Sequence, residues 1–412
     1  MNAQRLDFQT TKTAARSSGF PAGDQPALGK RANLRPSNNN SNIRYDTRRL
    51  QSAAIKARML SEHRSRLCGC VPVPKRGAVQ IHIDTASGTC RYVSLYHCAS
   101  ATACPVCAAT VRARRAQEII YAGKRMIQEG FTYVSATLTA AHGPCTKLHE
   151  FIKQFNDAAR KMKSGRAWQA FAGRWAVRYS IRTVDTTDDA PGTDPAARSG
   201  WHYHFHIIFF LEKHHLTENE AQKMESELAD MWINALGRVG LSASRANGVA
   251  VDLPHLSVGV SGADAIKPLA QYVAKNVAWE MTGQDTKIGR MDRRISIWGM
   301  QRLALTSHPE LLPRLDEYIR AMRGIAWMTW TQGLKHFVGL DELSDAELLE
   351  GAVATPIYTL TQADLTAVAR QAGQRKLLEA AEAGGLEGIR AALAAAHAGH
   401  DILIGEPWLP PA

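Results

Sequence analysis

Three histidines, His202, His204 and His206, occupy alternate positions in the stretch SGWHYHFHIIFFLEK, whose other residues are mostly Tyr, Phe and Ile. Successive side chains of a β-strand point to opposite faces, so the three imidazoles project the same way. Tyr203 and Phe205 begin the other face, and the run Ile207-Ile208-Phe209-Phe210 is apolar on both. A strand of this kind is buried on both sides, with one polar row left open to a site. It commits the chain to a layered fold in which a central strand carries chemistry.

The surrounding pattern says which layers. FTYVSATLTAAHG (131–143) and RWAVRYSIRTVD (174–185) read as strands, and GVAVDLPHL as a short one. VRARRAQEIIYAGKRMIQEG (111–130), LHEFIKQFNDAARKMKS and TENEAQKMESELADMWINALGRVG have helical spacing, the last opened by Thr217 as its cap. DAIKPLAQYVAKNVAWEMTG reads as a helix ending near Gly283, and TTDDAPGTDPAARSG as a loop. Strands and helices alternate without the regular spacing of a doubly wound sheet. The expected class is α+β, a central antiparallel sheet with flanking helices.

Charge divides the chain further. Residues 1–66 carry a net charge of +9 and include RPSNNNSN, so they read as a basic, largely disordered arm. Residues 340–412 carry −7 and are rich in Ala, Leu and Glu, which suggests an acidic helical tail from about 336. The section between carries +10, which suits a polyanionic partner whose phosphates it would neutralise. The first residues, MNAQRLDFQT, are polar, and no apolar run reaches 18 residues, so a cytoplasmic protein with no membrane partner is expected.

Six of the seven cysteines fall between positions 68 and 107. In a reducing compartment such a cluster reads as metal binding rather than as disulfides. Cys104 and Cys107, in Cys-Pro-Val-Cys, form a knuckle suited to two thiolates on tetrahedral Zn²⁺. Cys98 offers a third, and Cys68 or Cys70 a fourth, giving a zinc-binding module with its linking helix over 67–125. A second, larger domain is then expected over 126–335.

Histidines two apart on a strand stand about 6.6–6.8 Å apart at Cα, close enough for two rings to converge on one divalent ion. His202 and His206, about 13 Å apart, are too distant to share it comfortably. The expectation is two histidines and a ligand from a neighbouring strand. AQYVAKN places Tyr272 and Lys275 on one helix face, where a phenol can act as a covalent nucleophile beside an ammonium.

Taken together, these motifs resemble those of rolling-circle replication initiators of the HUH endonuclease superfamily, such as plasmid Rep and phage gene A proteins. His204-Phe205-His206 is similar to the superfamily's His-hydrophobe-His motif. Gly200, Trp201, His202, His204 and His206 match Gly-Trp-His-Pro-His-hydrophobe-His of plasmid initiators. Thr137-Leu138-Thr139 resembles the first motif, Tyr272 and Lys275 the Tyr-x-x-Lys motif, and ISIWGMQRLA (295–304) a stretch that follows the tyrosine in gene A proteins.

The resemblance, over about 68–305, implies a palm-like nuclease fold and Mg²⁺ or Mn²⁺ held by His204 and His206. It implies that Tyr272 is the nucleophile and that single-stranded origin DNA is the substrate. Host helicase and polymerase are further partners expected of such an initiator. Where the family often carries a glutamate as third ligand, alignment places Ile181, with Asp185 on the same strand face as the substitute. Where some plasmid initiators carry a glutamate, four residues before the tyrosine, this chain has Pro268. A transposase or mobilisation relaxase with the same core, and a non-catalytic zinc-dependent DNA-binding regulator, are the alternatives.

Overall fold

The computed structural model describes residues 64–69, 71–74, 76–84, 88–212, 215–253, 294–350, 355–370, 373–400 and residue 402. Its centre is an antiparallel sheet built on the three-histidine strand. The strands are β1 (Val79–Asp84), β2 (Thr89–Val93), β3 (Thr132–Leu138), β4 (Val177–Asp189), β5 (His202–Leu211), β6 (Val249–Asp252), β7 (Arg294–Ser296), β8 (Met328–Trp330) and β9 (Thr355–Leu360). The main sheet runs β6-β3-β5-β4-β7, with β8 pairing further along β4. All its pairings are antiparallel, as expected of the α+β class.

Why β5 lies in the middle follows from its sequence. Every residue of it except His202 is buried, and only a strand flanked by two others can satisfy its backbone while both faces are covered. One face carries Tyr203, Phe205, Ile207 and Phe209. These pack into the largest apolar cluster with α2 (Leu148–Ser164) and α4 (Glu218–Gly237). Each such side chain contributes about 1.5–3 kcal/mol by leaving water.

The other face is divided. Ile208 and Phe210, with Ile181 of β4 and Tyr133 of β3, lie under Ile119, Ile120 and Met126 of α1 (Pro105–Gln128). Towards the start of β5 the same face carries His206, His204 and His202. The apolar cover therefore ends where the polar row begins.

α4 starts with the capping box expected at Thr217, whose hydroxyl accepts from the Glu220 amide while the Glu220 carboxylate accepts in return. α1 begins at Pro105, earlier than the helical spacing alone suggests, because proline at the first helical position has a pre-set φ and no amide proton to satisfy. β4 continues four residues past the expected end at Asp185, into the stretch read as loop. Its last residues, Thr187–Asp189, pair with β7. Arg314 holds Asp188 at 2.7 Å through both Nε and Nη2, and Arg294 holds Asp189 at 3.2 Å.

The segment expected to be a helical tail contains a strand. β9 pairs antiparallel with β1 in a second sheet of order β2-β1-β9. Thr-Pro-Ile-Tyr-Thr-Leu is β-branched and aromatic, and Pro356 is tolerated because β9 is an edge strand. Helices α9 (Gln362–Arg370) and α10 (Gln374–His397, broken at Gly385) supply Leu365, Val368, Leu377, Ile389 and Leu393 to the cluster over this sheet.

Candidate metal centres

The cysteine module is built around the start of α1. Cys104 precedes the helix and Cys107 lies in its first turn, so their sulfurs share one side. Cys98 approaches from the preceding loop, and Cys68 follows a 3₁₀ turn at Arg64–Leu67. The four sulfurs are buried and lie within 4.8 Å of one another. Individual separations are 3.3 Å for Cys68–Cys107, 3.7 Å for Cys68–Cys104 and 3.8 Å for Cys98–Cys107.

A tetrahedron with Zn–S bonds of about 2.3 Å has edges of about 3.8 Å, so the donor set fits zinc. Hydrogen bonding to its neighbours and burial push the Cys107 thiol far up. Although Cys104 opposes it, hydrogen bonds with Cys107 and Cys98 draw Cys68 down to about 6. Four thiolates crowded in this way would need a cation among them to offset their mutual repulsion. Of the other cysteines, Cys90 is buried in the cluster over the second sheet, Cys145 is exposed, and Cys70 lies outside the described residues.

The second cluster lies where the apolar cover of the main sheet ends, with His204 and His206 buried and Asp185 half-buried. Asp185 pairs directly across from His204, and Thr183 and Thr137 flank His206 from the two sides. The Nε2 atoms of His204 and His206 approach to 3.0 Å, and a carboxylate oxygen of Asp185 lies 3.3 Å from the His204 Nε2. Donor atoms of these three residues lie within 4.8 Å of one another.

Two ligands at right angles with bonds of about 2.1 Å stand about 3.0 Å apart, so the two imidazoles suit an octahedral divalent ion. Each ring is held through its other nitrogen. The Thr137 hydroxyl lies 3.2 Å from His206 Nδ1, and the His202 carbonyl 3.4 Å from His204 Nδ1. The carbonyl calls for the proton on His204 Nδ1, and the hydroxyl can accept from His206 Nδ1, a tautomer that leaves both Nε2 atoms free to coordinate. Ile181, which stands where the family's glutamate would be, pairs with Ile208 inside the apolar cluster beneath α1, while Asp185, the expected substitute, stands beside the rings.

His202, also counted among the candidate ligands from the sequence, is not one of this trio. Its Nδ1 lies 2.8 Å from His142 Nε2, and His142 Nδ1 lies 2.7 Å from the Ser199 carbonyl. Burial, then the neighbouring His204 and His142, push His202 down to about 3, so it is neutral. His142 escaped the sequence reading, although it stands only three residues after Thr139, where β3 leaves the sheet. Thr139 itself is a tether: its hydroxyl donates to the Asn247 carbonyl and its amide donates to Gly248 at 2.9 Å.

Gly200 sets the angle at which β5 enters. Its φ of +71° is a conformation other residues rarely adopt, and an added Cβ would stand 2.7 Å from the Gly143 carbonyl. The Gly200 and Ser199 amides donate to Asp189, at 2.7 and 3.0 Å, and Arg294 donates to the Gly200 carbonyl at 2.7 Å. Burial alone would raise the Asp189 carboxyl, but these amides and the Arg294 charge bring it below its ordinary value.

The motif at 295–304 packs against the cysteine module and its helix. The Gln301 amide donates to the carbonyl of Ala103, next to Cys104, at 3.2 Å. Arg112 of α1 lies between the rings of Trp298 and Trp327, 5.5 and 4.8 Å from their centroids. Tyr272, Lys275 and Pro268 lie outside the described residues.

A protein called Protein rep, from Streptomyces lividans, is 27% identical to this chain over 326 residues, which take in 66% of this chain and 71% of that protein. The chain is a relative of a Rep protein. This kinship agrees with the replication-initiator resemblance that the motifs carry. No family model matches the chain, and no solved structure matches it. Among the described residues no helix is long and apolar enough to cross a membrane.

Proposed function

We propose that the chain initiates rolling-circle replication by nicking single-stranded origin DNA, with an HUH-type nuclease core and a covalent tyrosine. The observation that supports this most is the convergence of His204 and His206 of β5 with Asp185 of the paired strand β4. These three would hold Mg²⁺ or Mn²⁺, which when bound polarises the phosphoryl oxygens and offsets the charge of the in-line displacement. Imidazoles favour Mn²⁺ over the harder Mg²⁺ at such a site, and Zn²⁺ would compete as an inhibitor.

The Tyr272 oxygen attacks the scissile phosphorus and the 3′-oxygen leaves, which yields a 5′-phosphotyrosine and a free 3′-OH for a host polymerase to extend. Lys275, three residues on in the sequence, balances charge on the phenolate or the phosphate. Attack by a 3′-OH on the phosphotyrosine reverses the step and rejoins strands. Thr137 holds the His206 ring, and the Asp189–Arg294 pair holds the loop that leads into β5. The cysteine module, loaded with zinc, and the basic arm grip DNA mainly through phosphates.

The test is incubation of the protein with end-labelled single-stranded origin DNA and Mn²⁺, read on a denaturing gel. A covalent adduct that disappears in Tyr272→Phe is expected. An adduct that survives this substitution overturns the choice of nucleophile, and DNA that binds without ever becoming attached identifies a regulator instead.

A further inference from the structure

Behind the main sheet, on the face opposite the histidines, a cavity of about 530 Å³ opens between α2 and β4–β5. Five cationic side chains line it: Lys153, Arg160 and Lys163 from α2, Arg182 from β4, and Arg323, which follows α6 (Leu312–Ala321). No carboxylate is among the described lining residues. Phe205 and Ile207 form an apolar floor, and the Arg182 guanidinium lies over the Phe205 ring, 4.4 Å from its centroid.

Two features set this apart from an ordinary solvated basic face. The Nε of Arg182 is buried with no hydrogen-bond partner. A buried guanidinium normally has a counter-charge, because removing a cation from water is costly unless it is paired. Arg160 pairs with Asp157, but among the described residues no carboxylate pairs with Arg182. Lys163, although solvent reaches along its side chain, has its ammonium 5.3 Å from the Trp168 ring centroid. Burial among protein atoms, then the nearby Arg182, push it down to about 8. Two cations crowded together beside an apolar floor call for a multiply charged anion with a flat or apolar part.

We propose that this cavity is a second nucleotide site, which takes the phosphates of one nucleotide on Arg182, Lys163 and Arg323 and its base against Phe205 and Ile207. Its volume suits a single nucleotide and excludes a duplex. The nucleotide is either free in solution or one unit of a DNA strand. The site uses no residue of the histidine centre and does not rest on the nicking reaction.

The test uses the full-length protein in EDTA, which keeps the histidine centre out of play. Calorimetry with ATP and with inorganic pyrophosphate, and anisotropy with a fluorescein-labelled twelve-residue oligo(dT), are compared for the parent, Arg182→Gln and the doubly substituted Lys163→Gln, Arg323→Gln. The double variant changes solvent-reachable side chains and keeps the test valid should Arg182→Gln fail to fold. Loss of two charge-assisted contacts should weaken binding at least tenfold at unchanged melting temperature.

ATP and pyrophosphate binding weakened with oligo(dT) unaffected identifies a free nucleotide. Oligo(dT) binding weakened as well, with ATP competing for it, identifies a DNA strand. Affinities for all three probes that stay within threefold in the well-folded double variant overturn the proposal.

Discussion

The two clusters, four sulfurs in one and two imidazoles with a carboxylate in the other, are donor sets suited to holding a cation in opposite ways. The cysteines are all buried, come from a loop, a turn and a helix start, and use up a tetrahedral ion's coordination. The histidine cluster offers three donor residues on two paired strands, and an ion held by three ligands would keep positions for a substrate oxygen. A closed soft site belongs with stability, and an open mixed one with chemistry. Sequence spacing alone hides this, because both are short motifs of metal-loving residues.

If the contrast is right, breaking each centre has a different consequence. The largest effect is expected for Cys104→Ser with Cys107→Ser. The protein should lose one equivalent of zinc by elemental analysis and more than about 4 kcal/mol of stability by denaturant unfolding. Unchanged zinc content would remove the closed site from the comparison. Next, His204→Ala should lower the nicking rate about a thousandfold, a loss of roughly 4 kcal/mol of transition-state stabilisation, while zinc content stays the same.

Thr137→Val removes only the partner of His206 Nδ1. It should weaken Mn²⁺ binding about 10- to 100-fold in a titration and leave the fold intact. The smallest effect concerns the loop into β5. The Asp189 carboxyl is held below its ordinary value, so it stabilises the fold above about pH 4 and this contribution fades as pH falls through the folded value. Asp189→Asn should therefore cost about 1 kcal/mol at pH 7, and the gap from the parent should narrow on acidification.

Much of the main sheet was legible, since period-two alternation and the apolar run of β5 depend on local sequence. Strand pairing is not local. Asp185 could be placed beside His204 only once the register was known, and a register error of one pair would have turned it to the other face. The same holds for His142, whose partner lies sixty residues away, and for Asp188 and Asp189, anchored by arginines more than a hundred residues on. β9 was missed because six β-prone residues sit within Ala- and Leu-rich helical sequence, and their partner β1 lies near the other end of the chain.

The most direct measurement follows both centres through one chelation. The protein is treated with enough EDTA to strip labile ions, then assayed for origin nicking and analysed for zinc, before and after Mn²⁺ is returned. The expected result is complete loss of nicking, full recovery with Mn²⁺, and one equivalent of zinc retained throughout. Nicking that persists in EDTA, or that returns only with zinc, would contradict the division of labour between the two centres.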